Sequence, residues 1–133
     1  VRPEELLFTR THEWVRFERA ADGSQIATMG ITAFALEALT DLTYLELAAP
    51  GTQVTAGQPC GEIESVKAVS DLYSPVTGEV IEANLAARDK LELLNQDPYG
   101  SGWLLKIRTQ EGAARVDLLD YAAYQRQCAE EPH

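Results

Sequence analysis

The chain has 133 residues, 45% of them hydrophobic and 24% charged, a balance that fits one globular domain over 1–133 and argues against disorder. Acidic residues number 21 against 11 basic ones, for a net charge of -10. Neither a nucleic acid nor an anionic membrane surface is an expected partner, because both need a basic footprint. No apolar run approaches the ~20 residues of a membrane span. Cys60 and Cys128 belong to no close-spaced ligand pattern, so neither a disulfide framework nor a metal site is expected.

The opening, residues 1–10, is mixed in character and reads as frayed. Residue 1 is Val, consistent with a removed Met or leader. Glu13 to Phe17 mixes aromatic, β-branched and polar residues and reads as a strand. Asp22-Gly23 turns the chain, and Gln25 to Ile31 returns as a second strand. Thr32 is placed to cap a short helix through Leu39. Leu42 to Leu47 alternates and reads as a strand. Beyond it, Pro50-Gly51, Gly57, Pro59, Gly61, Ser74-Pro75 and Gly78 punctuate the chain at short intervals, the pattern of a compact sandwich or flattened barrel. Val54, Ile63, Val69, Leu72, Val76, Val80 and Ile81 are its expected core. Residues 84–94 read as a short helix or turn, and Trp103 to Arg108 as a last strand. Asp117 is placed to cap a final helix running to about Glu130, with Leu118, Leu119, Tyr121, Ala122 and Cys128 on its buried side. A polar, disordered tail is expected over 130–133.

Catalytic signatures are missing. There is no Gly-x-Gly-x-x-Gly, no Gly-Lys-Ser/Thr phosphate loop and no Gly-x-Ser-x-Gly elbow. No catalytic residue is assigned. The chain has three lysines, Lys67, Lys90 and Lys106. Lys67 falls between two short strands, at a tip, where an ε-amine is reachable by a modifying enzyme. Position alone leaves an ordinary surface lysine as the simpler reading.

Around that lysine, Glu64-Ser65-Val66-Lys67-Ala68, followed by Asp71, Ser74-Pro75 and Gly78-Glu79-Val80, resembles the lipoyl-attachment motif of the glycine cleavage system H-protein family. The resemblance extends along the chain: Thr11-His12-Glu13-Trp14, then Gly30-Ile31-Thr32 with Ala35, Leu39 and Asp41, and finally Asn95, Asp97-Pro98-Tyr99-Gly100, Gly102-Trp103 and Lys106. It implies a mainly β, lipoyl/biotinyl-type flattened barrel or sandwich with a few short helices and a C-terminal helix. It also implies a carrier rather than an enzyme, with lipoate in amide linkage to Lys67. The implied partners are a pyridoxal-phosphate glycine decarboxylase, a tetrahydrofolate-dependent aminomethyltransferase, dihydrolipoyl dehydrogenase, and a lipoate ligase or lipoyltransferase. A monomer in a bacterial cytoplasm is expected, with the mitochondrial matrix as the alternative. Thr11, His12, Glu13 and Asp71 occupy the positions that would line a cleft for the arm. A solvated face is the simpler reading for Glu13 and Asp71, and core packing for Trp14.

If Val66 and Lys67 form the tip, period-2 alternation puts Gly61, Ile63, Ala68 and Leu72 on an inner face and Glu62, Glu64 and Asp71 on the other, with Glu62 opposite Asp71. Such an acidic face suggests docking of a modifying enzyme or partner. The chain departs from the family pattern at Thr40, where Gly is usual, at Phe34 and Ala38, and in lacking a Pro within 84–94. These departures are expected to lie away from Lys67 and to weaken contact from the Thr32 to Leu39 segment. Rival readings are a carrier domain of a 2-oxo acid dehydrogenase or biotin enzyme, and a lipoate relay or scaffold.

Overall fold

The computed structural model describes residues 2–110 and 112–131. In chain order they form β1 (Leu7–Phe8), β2 (Glu13–Arg19), β3 (Gln25–Ile31), α1 (Ala33–Leu39), β4 (Leu42–Leu47), β5 (Gln53–Val54), β6 (Pro59–Ser65), β7 (Val69–Tyr73), β8 (Gly78–Ala83), α2 (Leu85–Asp89), α3 (Glu92–Gln96), β9 (Leu105–Thr109) and α4 (Tyr121–Glu130). The strands make two antiparallel sheets. One has six strands in the order β1-β2-β3-β9-β8-β5, the other three in the order β4-β6-β7. Among the described residues no pairing joins the two, so the expected sandwich is found and the barrel is not closed. No described helix is long and apolar enough to cross a membrane.

The sheets share one core. Val15, Met29 and Ile107 from the larger sheet are buried in the same cluster as Leu45, Ile63 and Leu72 from the smaller one. Alternation produces this division, since each strand turns every second side chain inward. Val69 is a correction to the expected core. It lies opposite Glu64 and is 61% exposed, because its place in the register puts it on the outer face. Ile81 is only half-buried.

The N-terminal segment is not frayed. Leu6 and Phe8 are buried with Trp14 and Tyr124 in a second cluster. Phe8 stacks on Tyr124 with ring centroids 4.6 Å apart, and the backbones of Phe8 and Leu119 exchange two hydrogen bonds. The cap of α4 is Asp120, whose carboxylate accepts the Ala123 amide at 2.8 Å, and not Asp117. The shift of start puts Tyr124 on the buried side and leaves Ala122 exposed. Glu130 is the last residue of α4 rather than the start of a tail, and 132–133 lie outside the described residues.

Several glycines of the sequence motifs stand where a side chain would crowd a neighbour, and two of them lie beside α1 and its supporting loop. A Cβ on Gly30 would meet the Trp14 ring at 2.5 Å, and one on Gly100 would meet the Asp97 carboxylate at 2.4 Å. Trp14 lies against Gly30 and donates its indole N–H to the Pro98 carbonyl at 2.9 Å. The Tyr99 hydroxyl accepts the Ala33 amide at 3.1 Å. The 97–103 loop therefore props the start of α1, which forms one wall of the site described next.

Candidate functional site

Lys67 sits at the tip of the β6–β7 hairpin and is exposed. The register is Glu62 opposite Asp71, Ile63 opposite Ser70 and Glu64 opposite Val69, as alternation predicted. Neither Val66 nor Lys67 adopts a positive φ, so this is not one of the mirror-image turns that hairpins favour. Ser65 supplies what the turn type lacks. Its hydroxyl oxygen accepts the Lys67 amide at 3.2 Å and the Ala68 amide at 3.1 Å, while its own amide donates to the Ala68 carbonyl at 2.8 Å. This is a side-chain-built turn, a recurrent use of serine. The tip is tied from outside as well, since the Val66 amide donates to the Asp41 carbonyl at 2.9 Å.

Asp41 follows Thr40, one of the departures from the family pattern, so that departure stands one residue from the tie to the hairpin. Thr40 closes α1 at φ 66°, ψ -129°, a left-handed value that a β-branched residue rarely takes.

Beside the hairpin runs a cleft of about 400 Å³. Ile31, α1 and the inner residues Ile63 and Leu72 give it an apolar interior, while Thr11, His12, Glu13 and Glu131 give it a polar end. Ala68, next to the exposed lysine, lines it too. Phe34 and Ala38 both line it, so the segment borders the cleft with apolar side chains. All four residues singled out for the cleft, Thr11, His12, Glu13 and Asp71, are found around it.

Their environments differ. Glu13 is only 2% exposed, which overturns the solvated-face reading. Its Oε1 accepts from the hydroxyls of Thr9, at 2.7 Å, and Thr11, and its Oε2 accepts the Tyr73 amide at 3.2 Å. Burial raises its carboxyl above the ordinary value, and these hydrogen bonds only partly oppose the rise. Asp71 is exposed, as the simpler reading held. Trp14 is 1% exposed and packs in the core. His12 takes φ 73°. Its Nδ1 lies 2.7 Å from the Tyr124 hydroxyl, and its Nε2 lies 2.9 Å from the Glu131 carboxylate. Burial lowers the imidazole below its usual value against the opposing pull of Glu131.

The outer face of the small sheet is more acidic than the hairpin alone predicted. Glu46 of β4 stands opposite Glu62, which stands opposite Asp71. Tyr44 pairs with Glu64 in the neighbouring rung, and the surrounding Glu46, Glu64 and Glu62 charges help push its phenol up. Tyr124, Glu131 and Glu46 were missed by the sequence reading. The heptad-like placement of Tyr124 beside Leu118 and Tyr121 could have flagged it; nothing local could have placed Glu131.

The glycine cleavage H-protein family model matches residues 6–131. The chain is 51% identical over 129 residues to the glycine cleavage system H protein of Rubrobacter xylanophilus, covering 97% of this chain and 96% of that one. It is 53% identical over 122 residues to that of Thermobifida fusca, covering 92% and 91%. The crystal structure of a glycine cleavage system H protein from Mycobacterium marinum superposes with a TM-score of 0.85 at 38% identity, covering 96% of this chain and 99% of that one. With the matched fold, the exposed lysine hairpin and the adjoining cleft, the chain belongs to the glycine cleavage H-protein family.

Proposed function

We propose that the protein is the lipoyl carrier of a glycine cleavage system, with lipoate in amide linkage to Lys67. The observation that carries this is the junction at the tip: Lys67 is exposed at a turn, and its neighbour Ala68 is already part of the cleft wall. The residues fit the group. The interior is apolar along Ile31, Leu39, Ile63 and Leu72 and polar at Thr11 and Glu13, which suits an aliphatic arm with a polar load at its end. When bound, the lipoyl group would supply a disulfide able to accept the aminomethyl group left as glycine loses carbon dioxide at the decarboxylase; the aminomethyltransferase and dihydrolipoyl dehydrogenase are the partners that would then unload and reoxidise it.

The chain's own residues do the rest. Ser65 and the Asp41 carbonyl hold the tip in one shape for the ligase or lipoyltransferase that acylates Lys67. Glu13, fixed by three donors, presents a buried carboxylate where a protonated amine can be held. The apolar walls restrict water there, and polar interactions strengthen as water is excluded. Asp71, exposed at the lip, adds negative charge. Attachment to the chain raises the effective concentration of the arm at each partner. The reading sets this single carrier domain in a bacterial cytoplasm, acting as a monomer, and bacterial relatives support that setting.

The test is peptide mass spectrometry on protein made with lipoate and its ligase. One lipoyl mass on the Lys67 peptide, absent in Lys67→Arg, followed by glycine-dependent loading, is the expected result. A bare Lys67, under conditions that modify another H protein, overturns the reading.

A further inference from the structure

We propose that His12, Cys128 and Glu131 form a binding site for one zinc ion. The imidazole, thiol and carboxylate ligand atoms of these residues lie within 4.8 Å of one another. They come from the loop before β2, from the last turn of α4 (Cys128) and from the residue that follows the helix (Glu131). Zinc takes nitrogen, sulfur and oxygen ligands at about 2.0–2.3 Å in a tetrahedron, so its ligand atoms stand roughly 3.3–3.8 Å from one another. Side-chain rotation would have to bring the three groups from within 4.8 Å to that spacing.

The surroundings are those of a built site. The Tyr124 hydroxyl, itself 2.6 Å from Thr32 Oγ1, engages His12 Nδ1 and fixes the ring. When Nδ1 carries the proton, Nε2 offers its lone pair toward Glu131. Metal-bound histidines are commonly oriented by a hydrogen bond at the other ring nitrogen. Glu131 Oε2 is shut off from solvent, and the group it faces is His12 Nε2, 2.9 Å away, which pairs with it when the ring carries both protons. A cation would take the place of that shared proton and bind both atoms. The thiolate favours zinc over magnesium or calcium. Binding deprotonates Cys128, and the proton passes to the buffer as the zinc–sulfur bond forms. Three protein ligands leave a fourth position for water. His12 and Glu131 line the cleft, so the ion would stand in its wall and pin the end of α4 to the β2 loop. Lys67 takes no part, and the site stands or falls apart from the carrier reading.

The competing account is a plain latch, in which His12 bridges Tyr124 and Glu131 with no metal. Anaerobic cobalt(II) titration of the reduced, unmodified full chain, freed of metal by a chelator, separates the two. One equivalent of cobalt should give tetrahedral ligand-field absorption and a thiolate-to-cobalt charge-transfer band, both displaced by zinc. Cys128→Ser should abolish the charge-transfer band and weaken zinc binding at least about tenfold by calorimetry. Cys60→Ala, whose thiol is buried elsewhere in the core, should change neither. Failure to bind cobalt or zinc, binding without a thiolate band, or a band that survives Cys128→Ser in a folded variant overturns the site.

Discussion

The carbonyl of Asp41 accepts the amide of Val66 at 2.9 Å, so the turn that ends α1 also holds the hairpin that carries Lys67. The residue before Asp41 is Thr40 at φ 66°, a conformation that costs a non-glycine residue of order 1–3 kcal/mol. Thr40→Gly should relieve most of this, offset by the greater entropy of glycine in the unfolded chain. The expected outcome is a gain of about 1 kcal/mol in denaturant unfolding. Hydrogen exchange at Val66 should slow or stay the same. A loss of stability would show that the Thr40 hydroxyl, which donates to the Leu39 carbonyl, outweighs the backbone strain.

Glu46, Glu62 and Asp71 stand side by side across three strands. Opposed like charges destabilise a sheet by up to roughly 1 kcal/mol per pair, and salt screens them. Glu62→Gln faces both neighbours and should raise stability by several tenths of a kcal/mol or more at low ionic strength, with the gain shrinking as salt is added. The docking hypothesis predicts the opposite direction for function: slower lipoylation or slower turnover in Glu62→Gln and Asp71→Asn. If both rates match the unsubstituted protein, the acidic face has no docking role.

Glu13 carries a pH signature. Its folded carboxyl lies above its ordinary value of 4.5, so between that value and the raised one the native state binds the proton more tightly than the unfolded chain. Stability attributable to this group is highest below 4.5 and falls as pH rises through the window. Glu13→Gln keeps an oxygen for the Tyr73 amide and removes the charge. The slope of unfolding free energy against pH across the window should become less negative in a chelator-containing buffer. An unchanged slope would mean that Glu13 titrates as it does in the unfolded chain.

Gly30→Ala tests the support of α1. The new Cβ would meet the Trp14 ring at 2.5 Å, and Trp14 is held by its bond to Pro98. Overpacking of this kind costs typically about 1–3 kcal/mol. Calorimetry should show a lowered Tm and tryptophan fluorescence a shifted maximum. A variant with both unchanged would mean that the ring swings aside without cost.

The hairpin was the most legible part of the sequence, because period 2 together with a two-residue tip fixes every pairing from Gly61 to Leu72. The same logic misplaced Val69: a valine in a strand was assigned inward, although its register beside Asp71 already put it outside. At the C-terminus, Asp117 and Asp120 are equally good caps locally. The choice is made by Tyr124, which must meet Phe8 and His12, and that contact spans nearly the whole chain. The burial of Leu6 and Phe8 was hidden for the same reason. Glu13 lines the cleft, and the solvated face that is the simpler reading of its sequence fails, since nothing in Thr-His-Glu-Trp reveals that two threonines and a distant amide will enclose the carboxylate.

The bond from the Tyr73 amide to Glu13 has a further meaning for the small sheet. β7 lies at its edge, and an edge strand offers unpaired amides on which another chain can add a strand. Glu13 occupies the place where an incoming carbonyl would sit, and it does so with a carboxylate that an approaching strand would have to displace. Farther along the same edge, Asp71 sets an exposed charge in the path of any such strand. A carrier must keep its hairpin uncovered to be reached by other proteins; here that hairpin is left open at its tip and closed to self-association along its side.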